Sequence, residues 1–527
     1  MNAKTLSLAG CAALVVSAMT FGGSLQAPPG LFKDLNDEIL GDAIILNGKQ
    51  LFFDDHLIDQ LSGAEKVLNQ AVKHPANPLV VKDQPWEDNG PGYSTVIYDT
   101  EEAIYKLWYG IWIKDAKPSE QILCYATSKD GIRWEKPIIN EQDGNNIVFT
   151  PKITGFQCPG IFIDPVEKDP TKRYKMLFSA APDGTDKSWS TNAAYSPDGI
   201  HWTAEPQNPV APFSDTQICP FWDPQRGRYV AHIRYGPPNS RIASRIESED
   251  FIHWSPKVTL FRRSNLDKPF FTKHYAMQVM PYEGVYVGFL WAYHGETIEP
   301  IPDDKLWMDK TNLQLAYSRN GVVWNRVGRN GAIPHRDLSA DRDWRTEAEQ
   351  ATFLPYGEHG KDWDWGSVQA MYQPLMVVDD QIRIYYFGQS GRHWSTYHGD
   401  EKREKRLGLA TIRLDGFISI ETAGEGAMTT RTLLFIGDTL EVNANGAGGS
   451  IQVEALDADG NVIEGFGKEN CKPLATDSVR HVLQWNNNPD CHLIQARPIK
   501  LRFYLNKAKL YSFTPRIRHT HYVPSYD

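Results

Sequence analysis

A pattern, Ser-x-Asp-Gly-x-x-Trp, recurs along the chain and constrains its fold more than any other feature. It reads Ser128-Lys129-Asp130-Gly131-Ile132-Arg133-Trp134 and Ser196-Pro197-Asp198-Gly199-Ile200-His201-Trp202. It returns altered as Ser248-Glu249-Asp250-Phe251-Ile252-His253-Trp254 and Ser318-Arg319-Asn320-Gly321-Val322-Val323-Trp324, and worn as Arg413-Leu414-Asp415-Gly416-Phe417. The tryptophans step by 68, 52 and 70 residues, a spacing that marks arrays of supersecondary units. Alternating apolar runs precede the copies, as at 122–127 and 313–317. Asp-Gly and Asn-Gly tolerate positive φ, and a Ser or Asp side chain can close the turn on its own backbone, so each copy is a hairpin turn.

Five units follow from these rulers, each read as four strands. Their innermost strands are expected near 93–98, 160–163, just before the Asp223-Pro224 turn, 276–280 and 374–378. The last is preceded by a long insertion, 326–369. This predicts an all-β fold, a five-bladed β-propeller. After about 421 the period changes to short strands with Gly/Asp turns, a small β-sandwich. The expected division is a signal peptide at 1–27, a lead-in at 28–85, the propeller at 86–420 and the sandwich at 421–527. A hairpin around Asn47-Gly48, within 44–53, is expected to close the ring.

A short basic start, an apolar run and Leu25-Gln26-Ala27 predict a cleaved secretory leader, hence a secreted or periplasmic protein. Leu8-Ala9-Gly10-Cys11 comes too early in the run to favour a lipid anchor. No later run is long enough to span a bilayer. The net charge of −10 argues against nucleic acid and anionic membranes as partners. Secretion permits disulfides, and Cys471 with Cys491 is the preferred pair; Cys158 and Cys219 could pair across repeats. There is no zinc spacing, no metal site is assigned, no cofactor is expected, and a structural calcium ion is not indicated.

Propeller topology sorts the loops. With the first strand innermost, the Asp-Pro and Asp-Gly turns face away from the pocket, which sets aside Asp130, Asp164, Asp198 and Asp223. The pocket face then carries Glu87, Asp88, Asp215 and Glu296 as candidate catalytic carboxyls. Trp112, Asp183, Arg234, His274, His294, Trp365 and Arg392 are candidate substrate-binding groups. Acids, aromatic platforms and cations at one mouth suit a carbohydrate, because glycoside hydrolysis needs two carboxyls flanking the bond.

The hairpins, the Asp-Pro…Arg-Tyr turns, the Asn77-Pro78 approach and the trailing sandwich together resemble the five-bladed propeller glycosidases of glycoside hydrolase families 43 and 32. The resemblance implies an acid entering each of the first three blades. Glu87 or Asp88 matches the first place and Asp215 the third, while Gln157 stands at the second. The Trp-Met-Asn-Asp-Pro start of family 32 is absent, leaving Asp183 or Glu296 as substitutes. The expected function is a secreted glycosidase, with Glu87 or Asp88 as base or nucleophile. Asp215 or Glu296 is expected as the acid, its pKa raised by burial. The alternatives are a carbohydrate-binding propeller without catalysis, and a polysaccharide lyase using Lys273-His274-Tyr275.

Overall fold

The computed structural model describes residues 43–46, 48–116, 120–149, 154–185, 188–235, 241–328, 331–333, 343–394, 398 and 404–517. The leader expected at 1–27 lies outside them. Residues 68–414 form one compact unit; 1–67 with 415–527 form the other.

The 68–414 unit is a succession of antiparallel meanders, built by the alternating apolar runs and stopped by the turns already described. The first comprises Gly92–Asp99, Ile104–Trp112, Gln121–Ser128 and Ile147–Phe149; the second begins Gln157–Ile163, Tyr174–Ala180, Ser190–Ser196. The third is Cys219–Asp223, Arg228–Tyr235, Ile242–Ser248 and Val258–Thr259. Lys273–Tyr282, Val285–His294 and Lys310–Ser318 begin the fourth; Ser367–Ala370, Gln381–Gln389 and Lys405–Arg413 make the fifth. A parallel pair, Thr311 with Ser367, joins these last two into one continuous sheet.

Inner strands bond to their neighbours around a common axis. Ile218 N donates to Cys158 O at 3.3 Å, Val279 N to Cys219 Sγ at 3.3 Å, and Val96 N to Tyr372 O at 3.1 Å, which returns the fifth meander to the first. An outer set of staples repeats the linkage. Tyr174 donates to Asp99, Tyr229 to Asp164 at 2.7 Å and Tyr286 to Asp223 at 2.8 Å, each reaching back to the preceding meander. Tyr385 closes the set by donating to Gly131 O at 2.8 Å. Asp99, Asp164 and Asp223 therefore link successive meanders.

The repeated turn is built as its chemistry requires. Ser196 Oγ accepts from Gly199 N at 2.9 Å, and Asp198 Oδ1 accepts from Ile200 N and His201 N at 2.8 Å. Gly199 has φ +80°, and a Cβ there would stand 2.4 Å from Trp108. In the third copy Phe251 holds the same left-handed backbone at φ +68°.

Three expectations are corrected. The strands Ile44–Leu46 and Gln50–Leu51 do not close the ring; they pair with Leu433–Phe435 and Lys509–Arg516 in the other unit. Val72–Lys73 pairs with Lys405–Arg413 instead. The fifth inner strand starts earlier than expected, at Ser367–Ala370, and resumes at Met376–Val378 within the expected 374–378; both pair with Gln381–Gln389, and between them the Gln373 amide bonds Arg383 O and Tyr385 N, both at 2.7 Å, and interrupts the ladder. No disulfide joins Cys471 to Cys491, or Cys158 to Cys219, and all four are buried. Cys471 Sγ accepts from Val453 N at 3.3 Å, and Cys491 Sγ donates to Pro489 O at 3.6 Å. The insertion before the fifth meander also contains a helix the sequence reading missed, Trp344–Gln350, capped by Asp343.

The 1–67/415–527 unit is a sandwich of two six-stranded sheets. Its strand Pro498–Asn506 alternates half-buried with buried residues along its whole length, as a sheet with one covered face demands.

Candidate functional site: the mouth of the 68–414 unit

Three inner strands shift register at their entrances, between Gly92 and Thr95, Gln157 and Gly160, and His274 and Ala276. Bulges of this kind re-aim side chains. Tyr93 at φ +43° and Cys158 at φ +60° hold the left-handed backbone that non-glycine residues avoid. The shifts gather Tyr93, Cys158 and Tyr275. Burial pushes the Tyr93 hydroxyl well up, with Tyr275, Cys158 and Asp215 adding to it and Arg234 opposing. Burial also pushes the Cys158 thiol well up.

Buried aromatic rings pack beneath this mouth. Tyr93 stacks on Trp291 with ring centres 6.1 Å apart, Trp291 stacks on Tyr275 at 6.0 Å, and Trp112 meets Tyr93 edge-on at 6.1 Å. Cations lie on the same rings. The Arg234 guanidinium is 4.4 Å from the Tyr275 ring, Arg241 is 5.1 Å from it, and Lys405 is 5.6 Å from Tyr93. Asp215 forms an ion pair with Arg234, and its side chain remains 62% exposed. Glu296 pairs with both Arg241 and Lys273 and is largely buried. Desolvation pushes the Glu296 carboxyl up, but Arg241 and Lys273 outweigh it and hold the group below its ordinary range. That direction is opposite to the raised value expected of a proton-holding acid. Tyr275 Oη and His393 Nε2 lie 3.2 Å apart beside the same arginines.

Asp309, overlooked in the sequence, stands behind Tyr293. It accepts from the Tyr293 hydroxyl and from Trp394 N at 2.6 Å, and His398 lies 3.2 Å away. Burial raises its carboxyl to about 6 against those three contacts. The Tyr293 ring is 4.9 Å from the Arg241 guanidinium. Only its loop position before the strand Lys310–Ser318 could have flagged it.

The other candidates make different contacts. Glu87 is enclosed: its carboxylate accepts from Tyr109 at 2.6 Å, Lys136 at 2.8 Å, Asp83 N at 3.0 Å and Gln84 N at 3.2 Å. Four donors thus engage its two carboxylate oxygens. Asp88 is half-buried, with Lys82 3.8 Å away. Asp183 caps its own exposed turn through Thr185. His274 is buried 3.4 Å from Asp267, and His294 is buried between Thr272 at 2.9 Å and Asn312 at 3.0 Å. Both histidines serve packing. Trp365 and Arg392 form a further group, with Arg392 5.9 Å and Lys310 4.9 Å from the Trp365 ring. Among the described residues no group of three or more His, Cys, Asp or Glu is placed to hold a metal ion. No helix among them is long and apolar enough to cross a membrane.

No protein-family model matches the chain, and no curated protein matches it. Solved structures do resemble its backbone. A beta-1,2-mannobiose phosphorylase from Listeria innocua aligns at 10% identity over 65% of this chain and 97% of its own, with a TM-score of 0.44. A glycosyl hydrolase from Bacteroides ovatus aligns at 13% identity over 66% and 94%, with a TM-score of 0.42. A structure reported for the GH130 family of mannoside phosphorylases, which contains glycoside hydrolases that target beta-1,2 mannosidic linkages in Candida mannan, aligns at 14% over 66% and 94%, TM-score 0.41. The family named there is 130, not the families 43 and 32 whose resemblance the sequence carries.

Proposed function

We propose that the 68–414 unit is a carbohydrate-active enzyme that cleaves a glycosidic bond at the mouth bounded by Tyr93, Asp215, Arg234, Tyr275 and Glu296. The observation that carries this reading is Asp215: a solvent-facing carboxylate held by a buried arginine, above a buried stack of aromatic rings. The half-buried Trp112 beside that stack suits the apolar face of a sugar. Asp215 is the carboxylate that can act on it as base or nucleophile, and the Tyr275–His393 pair moves the proton to the departing oxygen.

A panel of aryl glycosides and plant or algal oligosaccharides tests this. Release by the wild type should fall by ~10³ or more in Asp215→Asn, with thermal unfolding unchanged. Release that survives the substitution places the chemistry elsewhere. Saccharide binding without release from any substrate supports the non-catalytic reading instead. The Tyr275–His393 contact also favours β-elimination as a second reading. There the pair takes the C5 proton of a uronate, the C4–O bond breaks, the departing oxygen is protonated, and no water is consumed. Absorbance of the unsaturated product distinguishes it from hydrolysis.

A further inference from the structure

Among the described residues the mouth brings together more cations than carboxylates, in a chain with a formal net charge of −10. Arg234, Arg241 and Lys273 converge there against Asp215 and Glu296. Arg234 is 6% exposed, and its carboxylate partner is largely in water, where the pairing is weak. Nη1 of Arg234 and Nε of Arg241 are buried without a hydrogen-bond partner among the described residues. Burial and the nearby Arg234 both press against the charged form of Arg241, and Glu296 more than offsets them. Cations desolvated in this way are costly unless an anion completes them.

We infer that the substrate is an anionic sugar, its carboxylate or sulfate ester seated between the guanidinium groups of Arg234 and Arg241 over the Tyr275 ring. The guanidinium fork matches the paired oxygens of either group. The half-buried Trp112 ring, edge-on to Tyr93, is then the one placed to meet the body of the sugar. The inference rests on the proposed carbohydrate site and narrows its substrate class.

The test is calorimetric binding and cleavage with three matched oligosaccharides, neutral, uronate-bearing and sulfated, on the wild type, Arg241→Gln and Arg241→Lys. One of the anionic arms should bind at least about tenfold tighter than the neutral one, since a charge-assisted pair is worth that factor or more. The arm that wins identifies the acid group. The preference should collapse in Arg241→Gln, survive in part in Arg241→Lys, and weaken as salt rises. If Arg241→Gln does not fold, the charge-conserving variant and the salt series decide. Equal binding of neutral and anionic sugars overturns the inference. So does cleavage of neutral sugars stimulated by inorganic phosphate, which would assign the cations to a free anion. Anionic binding with no cleavage of any substrate sustains the inference and defeats the catalytic reading; cleavage confined to neutral sugars does the reverse.

Discussion

Asp99 and Asp309 show how two buried carboxyls in one unit acquire opposite pH behaviour. Asp99 accepts two bonds from Arg173 at 2.8 Å, with Lys106 3.2 Å away and the Tyr174 hydroxyl bonded to it. Burial pushes Asp99 up, but Arg173, Tyr174 and Lys106 hold it far below the carboxylate range. A depressed folded value contributes stability above the unfolded pKa of about 4, and that contribution is lost as pH falls. Asp99→Asn should therefore cost about 3 kcal/mol near neutral pH, because it strands buried cations. The gap to wild type should narrow in thermal unfolding as pH drops below about 4. A gap independent of pH would mean that Asp99 acts only by shape. Asp309 has the opposite sign: its value is raised to about 6, so the stability linked to its proton is lost as pH rises through that value. Asp309→Asn should flatten the fall in melting temperature between about pH 4 and 6 that the wild type shows. Neither residue was legible as such in the sequence. Asp99 sits in a turn like many others, and nothing local distinguishes an aspartate buried behind a tyrosine from a solvated loop charge.

The repeated turn was the most legible element, because its chemistry is local: a serine and an aspartate bond the backbone within three residues. Its fourth place demands positive φ, which explains glycine at Gly131, Gly199 and Gly321. The third copy departs for a reason the sequence hides. Phe251 packs against Tyr229 at 5.3 Å, Trp254 at 5.5 Å and Phe162 at 5.7 Å. Aromatic burial there exceeds the cost of a left-handed phenylalanine, which is on the order of 1–2 kcal/mol. Phe251→Gly should accordingly destabilise the protein by about 2 kcal/mol despite relieving the backbone. Gly199→Ala should also destabilise it, by driving a methyl into Trp108. Denaturant unfolding of both variants checks this, and a stabilised Phe251→Gly would refute the packing account. The mouth was legible only in part. Loop sorting found Asp215, Glu296 and Arg234, whereas Arg241, Tyr93 and Lys405 come together through bulges and distant meanders that no local pattern reports.

Across the whole molecule, the 68–414 ring depends on a residue pair far apart in sequence. The Asn77 side chain donates to Leu409 O at 2.9 Å and accepts from Leu409 N at 2.8 Å, so an amide stands in for a strand. Asn77→Ala leaves Leu409 N unpaired, while Leu409 O keeps His74 N at 2.8 Å, and should cost about 1 kcal/mol, read as a lower melting temperature. Val72–Lys73 continues this seam on Lys405–Arg413. The two ends of the 68–414 unit therefore leave on neighbouring strands. In the other unit, Glu65–Leu68 and Ile418–Glu421 are likewise neighbours in one sheet. To that sandwich the entire ring is a connection between adjacent strands, no longer in its effect than a hairpin loop. Such insertions are removable. A chain in which a short flexible linker joins residue 67 to residue 415 should retain a cooperatively folding sandwich, and the excised ring should be expressible as a gene of its own.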